Sequence, residues 1–177
     1  MRRFSLFMMM WVLLGATALA QDAPKWEVYG GYSHLLGDLN HTSFNLDGGQ
    51  AAAVQNVNSW FGGMLDFGTQ WGTRNGFNTN SQQIMYGPVF SYRKLSAFTP
   101  SAHVLLGAVR GSQGFAGIPE AATTFGAAFG GSIDFKISKM VSFRVLQGDL
   151  IVTDFMKRHQ ESVRFSSGLV FTFGSTR

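Results

Sequence analysis

The run KRHQES brings an imidazole, a carboxylate and a hydroxyl together at His159, Glu161 and Ser162. These are the side-chain types of a nucleophilic hydrolase. Nothing around them supplies more than the types, and the run reads most simply as a solvated polar loop. His34, His41 and His159 could converge on a metal ion, but no spacing fixes that geometry and exposed loop histidines are the plainer reading. The turn around Asp47, Gly48 and Gly49 and the stretch FAGIPEAA are loops rather than phosphate cradles, because no helix follows either. Cys is absent, which removes disulfides, thiolate metal sites and a lipid-modified cysteine anchor. No catalytic, cofactor-binding or metal-ligating residue is therefore expected, and no cofactor.

The elements that would position any site begin after an export signal. MRR supplies two cations, FSLFMMMWVLL an apolar run too short to span a bilayer, and ALAQD the small residues a signal peptidase accepts. Residues 1–20 are read as a signal peptide cleaved after Ala20, and residues 21–177 as one domain. Removing Arg2 and Arg3 lowers the formal charge from +4 to +2. The remaining cations are scattered and never interleave with aromatics, so nucleic-acid binding is not expected.

Beyond the signal, apolar and aromatic residues recur with period two between turn-forming clusters, the pattern of β-hairpins. Eight segments are expected, at 26–36, 46–57, 60–71, 82–94, 99–111, 122–136, 141–153 and 162–173. GDLNHTSFN, GTRNGFNTNS, SQGFAGIPEA and DFMKRHQE read as long loops, and NS after Val57, LSAF and SKMV as short turns. The alternation puts both termini at the short-turn end. The faces are unusual: in TTFGAAFGGSIDFK one carries Phe125, Phe129, Ile133 and Phe135, the other only Thr, Gly, Ala, Ser and Asp134. A soluble barrel with its aromatics inside would show water almost no charge. Turned outward, the aromatic face suits lipid, and the small face fills the narrow lumen of an eight-stranded barrel. Closure would also leave no unpaired strand edge in hydrocarbon. The expected fold is all-β, an eight-stranded antiparallel up-and-down transmembrane barrel. Trp26, Trp60, Tyr92, Phe135, Phe143 and Phe173 fall at its short-turn end, and Tyr32, Trp71, Phe125, Phe155 and Phe165 toward the other, as two aromatic girdles.

Hairpin arithmetic then locates charges in the lumen. Folding SKMV about Lys139 sets Asp134 against Arg144, and centring the next loop near residue 156 sets Asp149 against Arg164. Arg144 and Asp149 have opposite parity, so both face inward only if a bulge intervenes, at Val145 and Leu146. Asp66 and Arg110 are counted as further lumen charges. Pro88 cannot donate to a ladder, so Gly87 and Pro88 are expected to form a bulge or kink.

WEVYGGYSHL, YGPVFSYRK and the closing SSGLVFTF resemble the small outer-membrane β-barrels of the OmpA and OmpX type, over nearly the whole chain beyond the signal. In the last stretch Ser166, Gly168, Phe171 and Phe173 match the family's terminal insertion signal, although GSTR follows here where relatives often stop at the aromatic. The resemblance implies residence in the outer membrane of a double-membraned bacterium, as a monomer among outer-membrane lipids and lipopolysaccharide, delivered by periplasmic chaperones and the insertion machinery. It implies a structural or surface-interaction role with no chemistry. It leaves no room for a peptidoglycan-binding domain. Two alternatives stand beside it: a narrow pore for small solutes, and a lipid-modifying enzyme. Against the second, His159 and Ser162 are three apart, whereas lipid A deacylases hold His and Ser two apart in a longer Asn-containing motif.

Overall fold

The structure, a computed structural model, describes residues 23–39, 42–74, 77–115, 118–155 and 158–176. The expected signal peptide and its cleavage point at Ala20 lie outside them. Eight strands follow one another: β1 (Trp26–Leu39), β2 (Thr42–Asn56), β3 (Phe61–Arg74), β4 (Phe77–Ser91), β5 (Phe98–Phe115), β6 (Ile118–Lys136), β7 (Val141–Phe155) and β8 (Arg158–Phe173). Each pairs antiparallel with the next, and β1 closes on β8 from Trp26 opposite Phe173 to Asp38 opposite Glu161. The result is a closed up-and-down barrel with no free sheet edge.

The period-two patterning sets the faces. Along β6, Phe125, Phe129, Ile133 and Phe135 are exposed, while Gly126, Ala128, Ser132 and Asp134 between them are buried. β8 repeats this, with Phe165, Leu169, Phe171 and Phe173 outside and Arg164, Ser166 and Val170 inside. The interior thus holds nearly all of the buried polar side chains, and the outside is a continuous apolar band. In water such an inversion would leave large apolar side chains hydrated and charges desolvated. In a bilayer both faces are satisfied.

Three expectations are corrected. The four segments read as long loops are mostly strand: β1 runs on to Leu39 and β2 resumes at Thr42, with the same extension at Arg74 and Phe77, Phe115 and Ile118, and Phe155 and Arg158. Hydrophobic alternation stops where the barrel leaves the apolar layer, but the backbone ladder continues, so composition marks the end of the lipid-facing band and not of the strand. With 14 to 19 residues, the strands exceed the roughly 9–11 that cross a bilayer.

Gly87 and Pro88 form no bulge. The β3–β4 register is unbroken across Met64 opposite Gly87 and Gly63 opposite Pro88, and the β4–β5 register is the same on either side of them, from Tyr86 opposite Leu106 to Val89 opposite His103. The missing proline donor costs the ladder its pairings at those two residues without shifting it.

The third correction concerns Arg110. It is exposed, because β5 turns His103, Leu105 and Val109 inward and Val104, Leu106 and Arg110 outward.

A true bulge lies in β7. Ile133 faces Leu146 and Asp134 faces Arg144, so Val145 is skipped; on the other side Arg144 faces Gly168 and Gln147 faces Ser166. Val145 and Leu146 consequently both point outward, and the strand changes parity between Arg144 and Gln147. Ser167 Oγ donates to the Arg144 carbonyl at 2.9 Å, satisfying a group the disrupted ladder leaves free.

Candidate functional site

The lumen is where the charges meet. At its centre Arg164 of β8 is wholly buried, with Nε and Nη2 donating to Asp149 Oδ2 of β7 at 2.9 and 2.7 Å. Its Nη1 reaches across the barrel to Gln83 Oε1 of β4 at 3.0 Å. The same nitrogen lies 2.9 Å from Asp66 Oδ1 of β3, within ion-pair distance though not aligned as a hydrogen bond. One guanidinium therefore ties four strands together across the lumen. Asp149 also meets His103 Nε2 at 2.8 Å and accepts from Gln147 Nε2 at 3.2 and 2.9 Å. Gln50 Nε2 donates to the second oxygen of Asp66.

Toward the short-turn end, Arg144 grips Asp134 through two parallel bonds, Nε to Oδ1 at 2.7 Å and Nη2 to Oδ2 at 3.0 Å. Its Nη1 donates to Gln147 Oε1 at 2.6 Å, and its guanidinium sits 4.4 Å from the centre of the Tyr29 ring. Gln147 joins the two arginine clusters, accepting from Arg144 and donating to Asp149. It can do so only because the bulge turns it inward.

At the short-turn mouth, Arg93 donates to Glu27 and Asn56, and to the Ser59 carbonyl at 2.7 Å. Asn56 Nδ2 in turn donates to Glu27 and to the Pro24 carbonyl. On the opposite side of Arg164, Gln83 donates to Gln70 at 3.2 Å and Gln70 to Ser33 at 2.6 Å. Beyond them Leu35, Leu46, Val109 and Ile151 close the lumen with apolar bulk.

Two glycines make room for this assembly. A Cβ on Gly130 would lie 2.2 Å from Asp149 Oδ1 and 2.8 Å from His103 Nε2; one on Gly68 would lie 2.8 Å from Arg164 Nη1. Beside Arg144 a cavity of about 10 Å³ remains among Val54, Met64, His103 and Asp134. That is space for about one water molecule.

Of the residues expected in the lumen, Asp66, Asp134, Arg144, Asp149 and Arg164 are there, and Arg110 is not. Arg110 lies outside, opposite Gln82 of β4 and Thr123 of β6. In the closing stretch Ser166 is buried, while Phe171 and Phe173 face outward, opposite Val28 and Trp26 of β1. Glu27, Arg93, His103 and Gln147 escaped the sequence reading. Glu27 was findable, since it alternates with the outward Trp26 and Val28. Arg93 was findable too, since it falls within the expected segment 82–94 in step with the inward Val89 and Ser91, although β4 itself ends at Ser91.

The possible chemistry at KRHQES gains no geometry: Glu161 is exposed and Ser162 buried, on opposite faces of β8. The side chain of His159, and His41 altogether, lie outside the described residues. His34 Nδ1 instead meets Asp47 Oδ1 at 2.6 Å on the outer surface, where Tyr32 donates to the same carboxylate. No group of metal-ligating side chains forms among the described residues.

A closed eight-stranded barrel, apolar outside and charged within, has solved counterparts. The crystal structure of neisserial surface protein A matches with a TM-score of 0.75 at 13% identity, covering 86% of this chain and 99% of that one. This is the fold of the small outer-membrane barrels. Ail, the attachment invasion locus protein of Yersinia pestis, gives 0.59 at 14% identity over 84% of this chain and 99% of its own. The N-terminal barrel domain of Pseudomonas aeruginosa OprF gives 0.52 at 10% identity over 86% and 100%. No family model and no curated protein matches the sequence.

Proposed function

We propose that the chain resides in the outer membrane of a double-membraned bacterium as a non-conducting barrel that works through its surfaces. The observation that carries this is Arg164, wholly buried and bonded across the lumen to residues of β3, β4 and β7. A solute would have to break those contacts to pass. The lumen charges Asp66, Asp134, Arg144, Asp149 and Arg164 are then structural: they fill and brace the barrel and perform no chemistry. The separation of Glu161 and Ser162 onto opposite faces favours the same reading over a lipid-modifying enzyme.

In this reading the export signal delivers the chain to periplasmic chaperones, and Ser166, Gly168, Phe171 and Phe173 are read by the insertion machinery. The long strands carry the far end of the barrel clear of the bilayer, where it meets lipopolysaccharide and external partners. Arg110, outward and with no acid paired to it among the described residues, would meet lipopolysaccharide phosphates. Two of the similar structures are described as a surface protein and an attachment protein, which accords with a surface role.

Purified protein in planar bilayers should give no steady single-channel current, and its lipid A should keep its mass on expression. Steady current would overturn the closed lumen. A changed lipid A that reverts with Ser162→Ala would overturn the non-enzymatic reading.

A further inference from the structure

The short-turn end distributes its charges differently from the rest of the barrel. Lys25 before β1, Lys94 between β4 and β5, and Lys136 and Lys139 at the β6–β7 turn are all exposed. The described carboxylates of this half, Glu27 and Asp134, are buried and held by Arg93 and Arg144. The rim thus presents ammonium groups with no exposed carboxylate among the described residues. Lys136 Nζ reaches the Leu95 carbonyl at 3.1 Å. Lys25, Lys94 and Lys139 make no side-chain hydrogen bond or ion pair among the described residues.

The short turns at this rim carry exposed aliphatic residues beside Asn58 and Ser138, whose side chains cap the turn backbone. Val57, Leu95, Ile137 and Met140 stand exposed, next to a belt that includes Trp26, Trp60, Tyr92 and Phe135. Asn58 and Ser138 serve the turn backbone as such residues do in water, but Val57, Leu95, Ile137 and Met140 gain nothing from full hydration. Aliphatic tips interleaved with lysines suit a different setting, a headgroup layer in which the apolar atoms meet acyl chains and the ammonium groups snorkel to phosphate. Lys25 precedes β1, Lys94 lies in the β4–β5 turn, and Lys136 and Lys139 lie at the β6–β7 turn, so the cations follow the rim from β1 and from β4 to β7 as a collar.

We propose that this rim is a binding collar for anionic phospholipid headgroups, which holds the short-turn end flush with its leaflet. The inference rests on the membrane reading above and adds a ligand chemistry to it: a phosphodiester with net negative charge, preferred over a zwitterionic phosphocholine. Each lysine near an anionic surface contributes an attraction worth several-fold in local lipid occupancy at moderate salt, and screening removes it.

Trp26 and Trp60 both sit at this rim, whereas Trp71 lies toward the opposite end. The Trp71→Phe protein, purified from membranes, would be refolded into phosphatidylcholine vesicles containing either brominated phosphatidylglycerol or brominated phosphatidylcholine, whose bromines quench neighbouring indoles. Phosphatidylglycerol is expected to quench about two- to fivefold more strongly at equal mole fraction, with the difference lost at high salt. Replacing Lys25, Lys94, Lys136 and Lys139 by Gln should bring the ratio to one. If the fourfold variant does not fold, Lys139→Glu alone, in an exposed turn, should lower the ratio in the same direction. Equal quenching by both lipids, or a preference that survives removal of the lysines, overturns the collar and leaves an acidic protein as the rim's partner. Quenching by neither would overturn the membrane reading and the collar with it.

Discussion

Arg164 and Arg110 are the same side chain on strands three apart in one sheet, facing opposite ways. Arg164 is wholly enclosed and has a partner for each of its nitrogens. Arg110 stands exposed on the outer face with no acid paired to it among the described residues. The inner guanidinium is desolvated, so each missing contact would leave charge in a low-dielectric space with nothing to offset it. The outer one keeps its water or finds a headgroup. In this barrel one step along a strand decides whether a cation braces the fold or decorates it.

Removing the inner cation should have the largest effect. Arg164→Ala leaves Asp66 and Asp149 facing each other uncompensated and is expected to cost about 3–5 kcal/mol of stability in urea unfolding from liposomes. A loss below about 1 kcal/mol would erase the contrast with Arg110. Asp134→Ala should fall in the same range by stranding Arg144, while the double variant Asp134→Asn with Arg144→Gln should cost much less than the two single losses together. Additive losses in that cycle would show that the pair is not coupled.

Gly130→Ala tests the room around Asp149. Its Cβ would meet both that carboxylate and the Gly148 carbonyl at 2.5 Å, and about 1–3 kcal/mol should be lost. Arg110→Gln should change stability by less than about 0.5 kcal/mol in the same assay. A larger loss would mean that the outer arginine has a structural partner after all.

The misplacement of Arg110 shows where sequence stops being legible. In β6 and β8 one face is aromatic and the other small, so parity is plain and places Asp134 and Arg164 without ambiguity. β5 reads Val104, Leu105, Leu106 in succession, with apolar residues on both faces, and alternation alone cannot say which way Arg110 turns. The structure resolves it through the pairing of β5 with β4 and β6. Register was legible wherever a turn was short: SKMV set Asp134 opposite Arg144, and the parity conflict with Asp149 required the bulge at Val145 and Leu146. The strand extensions toward Leu39 and Phe77 were not legible, because beyond the lipid layer backbone pairing continues without any demand on side-chain polarity. Arg93 was legible by parity within the expected segment 82–94 and was overlooked, although β4 itself ends at Ser91.

The bulge in β7 has a consequence for changes in length. Strand residues are read in twos, and one additional residue acts on everything after it as a frameshift does on codons. Deleting Val145 alone would remove the extra residue and leave Leu146 between Arg144 and Gln147, so Gln147 and Asp149 would keep their places in the lumen. Deleting Val145 and Leu146 together would present Gln147 and Asp149 to lipid and turn Leu150 and Val152 into the lumen, although every other residue would remain. The double deletion is expected to abolish the migration shift that a folded barrel shows between unboiled and boiled gel samples. A deletion of Ser96, in the exposed turn between β4 and β5 where no strand parity follows from it, should preserve the shift; equal tolerance of the double deletion and this one would mean that the bulge sets no frame.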